Sequence, residues 1–222
     1  MNYSYRGTSL RPVTDADLPF LFRLYTDPSR CHLWMSSRRV YAEHEFRDAW
    51  SAWSGGAMGA KFIVENERRP VGWVMSCDDY LEHGFTKVHT ILQEENVGHG
   101  VGVVATALLT DFLFKQMPLR KIYFEVFDFN AAVVRIWRKL GLAEEGLLKA
   151  DRYWDGTYWD LHIFALYREA WPDLRARILR PERNGKAPPS PGFDDSGLVP
   201  TIDNSGNDRP SLLEAGSGPK VS

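Results

Sequence analysis

Residues 89–109 read HTILQEENVGHGVGVVATALL, a stretch that predicts the end of a strand, a glycine-rich loop and the start of a helix. It begins inside a run rich in β-branched and aromatic residues, 85–92, which predicts a strand. It ends inside an apolar run, 103–116, which predicts a helix. The loop between them carries three glycines: Gly98, Gly100 and Gly102. Such a loop exposes backbone N–H groups beside the positive end of a helix dipole, so we interpret it as a pyrophosphate site.

Two common phosphate loops do not fit this stretch. A Walker loop ends in Gly-Lys-Ser/Thr, whereas Gly102 is followed by Val103 and Val104. A dinucleotide fingerprint needs a third glycine at a different spacing and an acidic residue after the next strand. A plain glycine-rich turn before a helix stays an alternative, because short glycine patterns are weak on their own.

Strands and helices alternate on both sides of this stretch. The predicted strands span 5–13, 61–65, 70–77, 85–92 and 121–127, and a last hairpin over 147–167 turns at 154–157. The predicted helices lie between Thr14 and Asp27 and over 41–53, 103–116 and 131–140. This order indicates an α/β (α+β) layered fold.

The composition changes near residue 183, where Pro, Gly, Ser, Asn and Asp become frequent and apolar periodicity ends. Such a segment buries too little surface to offset the entropy of ordering it. We therefore predict a folded domain over 1–182 and a disordered tail over 183–222.

The overall composition excludes several classes of protein. The formal net charge of -2 argues against nonspecific nucleic-acid binding. Neither a signal-peptide pattern nor an apolar run of membrane-spanning length is found, so we expect no membrane association. Cys31 and Cys77 have no metal or redox spacing, and the six histidines are scattered, so we predict a cytoplasmic protein without a metal.

Short motifs before and after the glycine loop follow one another in a recognisable order. They are Leu10-Arg-Pro12 with Asp15-Ala-Asp-Leu18, Val71-Gly72, the loop Val97–Gly102, Asn130 with Trp137-Arg-Lys-Leu-Gly-Leu142, and Asp155–Asp160 with Arg168–Trp171. Over residues 8–172 the chain thereby resembles the GCN5-related N-acetyltransferase (GNAT) superfamily. Its last motifs resemble the subgroup that acetylates ribosomal-protein N-termini, spermidine and amino sugars. The resemblance implies a mixed, mostly antiparallel sheet, splayed between its fourth and fifth strands, with helices on both faces.

The resemblance also implies a cofactor, acetyl-CoA, and the residues that would hold it. The N–H of Ile91 or Leu92 would polarise the thioester carbonyl, and the Asn130 amide would bond the pantetheine arm, although an N-cap role for Asn130 is as plausible. The full set of expected cofactor contacts is Ile91, Leu92, Val97, Gly98, His99, Gly100, Val101, Gly102, Asn130 and Arg135. Two positions depart from the family. Val97 replaces a Gln or Arg, and Trp137 replaces the tyrosine that often protonates the departing thiolate; an indole ring cannot donate that proton.

Candidate residues for the chemistry come from the two strands that border the expected cleft. His89 is the leading base because its ordinary pKa suits the task, and Glu125 is the second candidate. A histidine satisfied by a neighbour and a salt-bridged carboxylate are the alternatives. The expected acceptor contacts are Trp34, Asp128, Tyr153 and Trp154. Asp128 could instead only cap the next helix, and the two hairpin aromatics could instead pack across the strands.

The predicted function is transfer of an acetyl group from acetyl-CoA to a primary amine, either a small molecule or a protein N-terminus. Val97 and Trp137 motivate the alternative of a noncatalytic acyl-CoA-binding or regulatory module. A third option is an interaction protein in which the tail recruits a partner. The sequence leaves the acyl length and the oligomeric state open, with a homodimer as one candidate.

Overall fold

A computed structural model describes residues 3–34, 40–55 and 59–180. Eight strands of the described residues form one sheet in the order β1-β2-β3-β4-β5-β6-β8-β7. The strands are β1 (Ser4–Tyr5), β2 (Thr8–Pro12), β3 (Lys61–Asn66), β4 (Arg69–Tyr80), β5 (Phe85–Leu92), β6 (Lys121–Phe127), β7 (Ala143–Trp154) and β8 (Thr157–Tyr167). Every neighbouring pair is antiparallel except β5 with β6, which confirms the mixed, mostly antiparallel sheet.

Helices cover both faces of the sheet, as predicted. The α-helices of the described residues are α1 (Leu18–Tyr25), α2 (Glu43–Gly55), α3 (Val101–Gln116), α4 (Ala131–Leu140) and α5 (Trp171–Ile178). The helices α1 and α2 bury Leu21 and Phe46 against Ile63, Trp73 and Ile91 of the sheet. We call this side of the sheet the acceptor face. The other three helices pack on the opposite face, where the larger core lies.

The parallel pair β5 and β6 separates along its length. The strands pair only from Phe85 with Lys121 to Lys87 with Tyr123. Beyond these residues β5 stays paired with β4 up to Leu92, and β6 stays paired with β8 up to Phe127. The resulting opening, which we call the cleft, confirms the splay, with the predicted fourth and fifth strands appearing as β5 and β6.

Three local features differ from the sequence-based prediction. The predicted first strand is broken at Arg6 and Gly7, whose positive φ angles turn the chain between β1 and β2. The helix α3 starts at Val101 rather than at residue 103, because Gly100 in the left-handed region ends the loop. The helix α5 was not predicted, because only Trp171, Leu174 and Ile178 of its eight residues are buried.

The described residues end at 180, so the predicted domain boundary at 182 lies outside them and stays a prediction. The predicted tail over 183–222 lies outside the described residues, so its disorder stays a prediction. Among the described helices, none combines the length and the apolar character needed to cross a membrane.

Candidate active site

The first turn of α3 presents unpaired backbone N–H groups. Its first helical hydrogen bond runs from the Val104 N–H to the Gly100 carbonyl at 3.0 Å, and no side chain caps this end. The N–H groups of Val101, Gly102 and Val103 therefore have no acceptor within the helix. Free N–H groups and the helix dipole together attract an anion.

The glycines before α3 have the backbone freedom that this anion site needs. Gly98 and Gly100 have φ angles of 86° and 78°, which side-chain-bearing residues adopt only with strain. A Cβ on Gly100 would have no neighbour within 4 Å, so the space beside the loop is open. Val97, in contrast, already donates its N–H to the Glu94 carbonyl at 3.0 Å. The residues present thus fit a diphosphate through the amides after Val97, and the predicted Val97 contact would have to come from other atoms.

Two contacts fix the start of α3 beside the end of β5. The hydroxyls of Thr90 and Thr106 are hydrogen-bonded at 2.6 Å, and Thr106 also donates to the Gly102 carbonyl at 2.8 Å. A Cβ on Gly102 would lie 3.3 Å from Leu92 Cδ1. The diphosphate site is therefore adjacent to the cleft edge of β5.

The hydrogen-bond ladder decides which amides of β5 face the cleft. The Gln93 N–H donates to the Val71 carbonyl, so Gln93 points toward β4. Because groups alternate along an antiparallel strand, Ile91 also points toward β4, opposite Trp73, whereas Leu92 and Thr90 point to the opposite edge. Of the two predicted oxyanion donors, Leu92 has the required orientation and Ile91 does not. Thr90 is a further donor that the sequence alone did not identify.

The two predicted catalytic residues lie on the acceptor face beside the cleft. Lys87 joins Glu125 and Asp78 through ion pairs of 2.8 and 3.2 Å. Burial lowers the pKa of Lys87, but these two carboxylates outweigh it and leave the pKa raised. Burial also lowers the pKa of His89, and the nearby Glu125 carboxylate offsets this only in part. His89 is therefore neutral at pH 7 and able to accept a proton, whereas Glu125 is already engaged by a cation.

The residues predicted near the other cleft edge have mixed surroundings. Asn130 is the N-cap residue of α4 by position, but its side chain makes no capping hydrogen bond, so the amide is available to a ligand. Arg135 is exposed on α4, and His99 is exposed on the loop. Asp128 lies 3.3 Å from Nε2 of His162, a buried residue, so its carboxylate is already engaged.

The predicted acceptor aromatics do not form one wall. Trp34 donates its indole N–H to the Tyr25 carbonyl at 3.0 Å and packs with the core around α1 and α2. Tyr153 packs edge-to-face on Tyr158, with ring centroids 5.1 Å apart. Trp154 lies on the acceptor face, where its ring stacks on His32 at 4.7 Å and an interplanar angle of 11°. Of the three, Trp154 has the contact most suited to an acceptor site.

The fold brings Arg30, His32 and Arg152 to the same place, although no sequence motif marks these three residues as part of the site. The Arg30 Nη1 donates to the Leu92 carbonyl at 3.2 Å, and the Arg152 guanidinium lies 4.6 Å from the centre of the Phe127 ring. Only their basic character was visible in the sequence, because the contacts join segments that are distant in the chain. In the described part of the chain, no group of three or more His, Cys, Asp or Glu side chains has a metal-binding arrangement.

Comparisons with known proteins bear on the family and the fold. The acetyltransferase (GNAT) domain family matches residues 8–143. The chain is 26% identical over 155 residues to spermidine N(1)-acetyltransferase of Escherichia coli K12, covering 70% of this chain and 83% of the relative. The corresponding Vibrio cholerae enzyme is 23% identical over 154 residues, covering 69% and 88%.

A solved structure shares the fold. Spermidine N-acetyltransferase from Vibrio cholerae, in complex with CoA and spermine, superimposes with a TM-score of 0.70 at 21% identity, over 75% of this chain and 98% of that one. At this identity the likeness concerns the fold alone.

Proposed function

Since the chain belongs to the GNAT acetyltransferase family, and is an acetyl-CoA-dependent N-acetyltransferase, we propose that its acceptor is a small primary amine bound on the acceptor face beside His89. One observation carries the acetyl-CoA part of this assignment: within the described residues, the N–H groups of Thr90 and Leu92 point away from β4 into the cleft, and the first turn of α3 lies along the same edge. The first set suits a thioester carbonyl, and the second suits a diphosphate.

Acetyl-CoA supplies an activated acyl group, whose C–S bond breaks while a C–N bond to the amine forms. The protein contributes position and charge. The N–H groups of Thr90 and Leu92 are oriented to donate to the carbonyl oxygen as it gains negative charge. The loop from Gly98 to Gly102 and the Asn130 amide would hold the remainder of the cofactor.

His89 would accept the proton that the amine loses, directly or through a water molecule. Its lowered pKa keeps the imidazole neutral at pH 7, so it is ready to accept. Glu125 is held by Lys87 and would tune His89 rather than take the proton itself. Trp137 packs against Phe124 with ring centroids 4.8 Å apart and offers no acid, so the departing thiolate would be protonated by water or by the imidazolium of His89.

The relatives named above act on spermidine, which supports a small-molecule amine as the acceptor class. A protein N-terminus as the acceptor, a homodimer and a cytoplasmic location are further proposals.

The test is incubation of the protein with acetyl-CoA and a panel of amines, with release of free thiol as the measurement. We expect thiol release that depends on both substrates and that is lost in Gly100→Glu. If no amine of the panel released thiol while CoA bound tightly, the protein would instead be a noncatalytic CoA-binding module.

A further inference from the structure

Three basic side chains converge where the acceptor face meets the cleft. Arg30 and His32 come from the segment after α1, and Arg152 comes from β7. His32 is two residues from Arg30, and its ring stacks on Trp154, two residues beyond Arg152, with ring centroids 4.7 Å apart, so the three side chains lie near one another. Partial burial, and after it the positive charges of Arg152 and Arg30, lower the pKa of His32. We call these three residues the basic cluster.

Among the described residues, Arg30 is a partly buried cation that forms no ion pair. Its contacts in the described part of the chain are the hydrogen bond to the Leu92 carbonyl and a position 5.9 Å from the Trp34 ring centre. Burial lowers its pKa, and the charges of Glu94, Asp27 and Glu95 offset this effect only in part. A guanidinium that has lost water but has gained no carboxylate partner is a strong binder for an anion.

The three acidic residues near Arg30 form no ion pair with it among the described residues. Asp27 accepts hydrogen bonds from the backbone N–H and the hydroxyl of Ser29, at 2.9 and 2.6 Å. Glu94 and Glu95 are exposed to solvent, where water and salt weaken their effect. The charge next to the Leu92 carbonyl is therefore positive.

His32 contributes a buried polar atom without a partner. Its Nδ1 is buried and makes no hydrogen bond in the described part of the chain. Its ring is held between Trp154, at 4.7 Å, and Phe129, at 5.6 Å, so the atom cannot easily turn toward water. A buried nitrogen left unpaired costs stability unless a ligand completes it.

We propose that the basic cluster binds an anionic group of the acceptor, so that the substrate is a primary amine that carries a carboxylate close to its amino group. This inference rests on the proposed function and narrows its acceptor. Arg30 contacts Leu92, whose N–H faces the thioester position, so the anion and the amine are separated by only a few bonds. A polyamine, which is positive at both ends, would be repelled by the same cluster.

The test compares pairs of amines that differ only by a carboxylate: L-phenylalanine with 2-phenylethylamine, and β-alanine with ethylamine, with spermidine as the polycation. Binding to the protein saturated with CoA is measured by calorimetry, and thiol release gives kcat/KM. We expect the carboxylated member of a pair to bind at least about 10-fold more tightly, as a charge-assisted hydrogen bond implies. The inference would be overturned if 2-phenylethylamine, ethylamine or spermidine bound as tightly as the carboxylated amines or more tightly. It would also be overturned if none of these amines bound.

The two readouts separate this inference from the proposed function. Preferential binding of the carboxylated amines without thiol release from any amine would support the basic cluster and contradict catalysis. Thiol release chiefly from spermidine would support catalysis and contradict the basic cluster.

Substitutions in the basic cluster test which side chains cause the preference for carboxylated amines. Arg30→Gln should reduce the carboxylate preference roughly 10-fold, and Arg30→Lys should retain part of it, because the charge remains. His32→Phe keeps the stack on Trp154 but removes Nδ1, so it should also lower the preference. Arg23→Gln, on an exposed position of α1, is the matched control and should change nothing. If Arg30→Gln instead weakened CoA binding and left the pair ratio unchanged, the anion bound there would be a cofactor phosphate, and the inference would be wrong.

Discussion

The two halves of the cleft are built from different materials. The cofactor half consists of backbone groups: the amides of α3, the loop glycines and the free edge of β5. The acceptor half consists of side chains from four separate segments, with His89, Glu125, Arg30 and Trp154 among them. Backbone geometry is set by the fold, whereas side chains change with single substitutions. Family membership therefore indicates how the cofactor half binds acetyl-CoA, whereas the specificity of the acceptor half depends on the side chains of this particular chain.

The largest expected effect comes from placing a charge in the cofactor half. Gly100→Glu introduces a carboxylate beside the free N–H groups of α3 and forces a side-chain-bearing residue into a φ of 78°. Loss of two charge-assisted hydrogen bonds would weaken CoA binding about 1,000-fold. Calorimetry with CoA measures this directly.

Gly141→Glu is the matched control for that variant. Gly141 has a φ of 81°, and a Cβ there would also have no neighbour within 4 Å, but it lies at the end of α4. CoA affinity should stay at the wild-type value. Equal weakening in both variants would show that backbone strain, and not the anion site, causes the loss.

A smaller loss is expected when the acceptor half loses its base. His89→Gln should reduce kcat about 100-fold at neutral pH and leave the affinity for CoA unchanged, because a general base acts only on the chemical step. His83→Gln is the control, since His83 lies exposed in the turn between β4 and β5.

The pH dependence of kcat provides a second test of His89 as the general base. The base must be neutral, and burial lowers the pKa of His89 from its ordinary value of 6.5, so activity should decline only below pH 6.5. The decline should disappear in His89→Gln. An acid limb that persisted at the same pH in the variant would assign the proton transfer to another group.

The sequence predicted the backbone half far better than the side-chain half, for a physical reason. Glycine spacing before an apolar run is a local signal, so the sequence alone placed the glycine loop between β5 and α3, and its role as a diphosphate site stays a prediction. The choice of Leu92 over Ile91 required the ladder register, which depends on the Gln93–Val71 bond between distant segments. The His32–Trp154 stack joins residues on opposite sides of the cleft, and no sequence pattern in either segment predicts this contact.

A substitution at Gly72 should displace the end of β5, which carries the Leu92 N–H and lies between the two halves of the cleft. A Cβ there would lie 2.3 Å from the Ile91 carbonyl oxygen and 3.0 Å from the Leu92 Cα, and both are backbone atoms that must move. Gly72→Ala should cost about 1–3 kcal/mol of unfolding free energy, as overpacking does, and should lower kcat by displacing the Leu92 N–H. Urea unfolding and thiol release measure the two effects.

Gly146→Ala in β7 is the control for the Gly72 variant. Its nearest neighbour would be Ile163 Cδ1 at 3.5 Å, an ordinary contact, so stability and kcat should be retained. If Gly72→Ala were equally harmless, the close approach of β4 to β5 would not fix the position of the Leu92 amide.

The smallest effect should come from removing residues 184–222, because the described residues form both halves of the cleft without them. The described core closes with Ile178 and Leu179, which are 4% and 8% exposed, so truncation after residue 183 keeps every buried contact of α5. The free energy of unfolding should change by less than about 0.5 kcal/mol, and kcat should not change. Truncation after residue 170 is the contrasting variant: it removes Trp171 and Leu174 from the core beneath α3 and should unfold the domain. A large loss of stability on removing residues 184–222 alone would show that the segment after 183 packs on the domain, contrary to its composition.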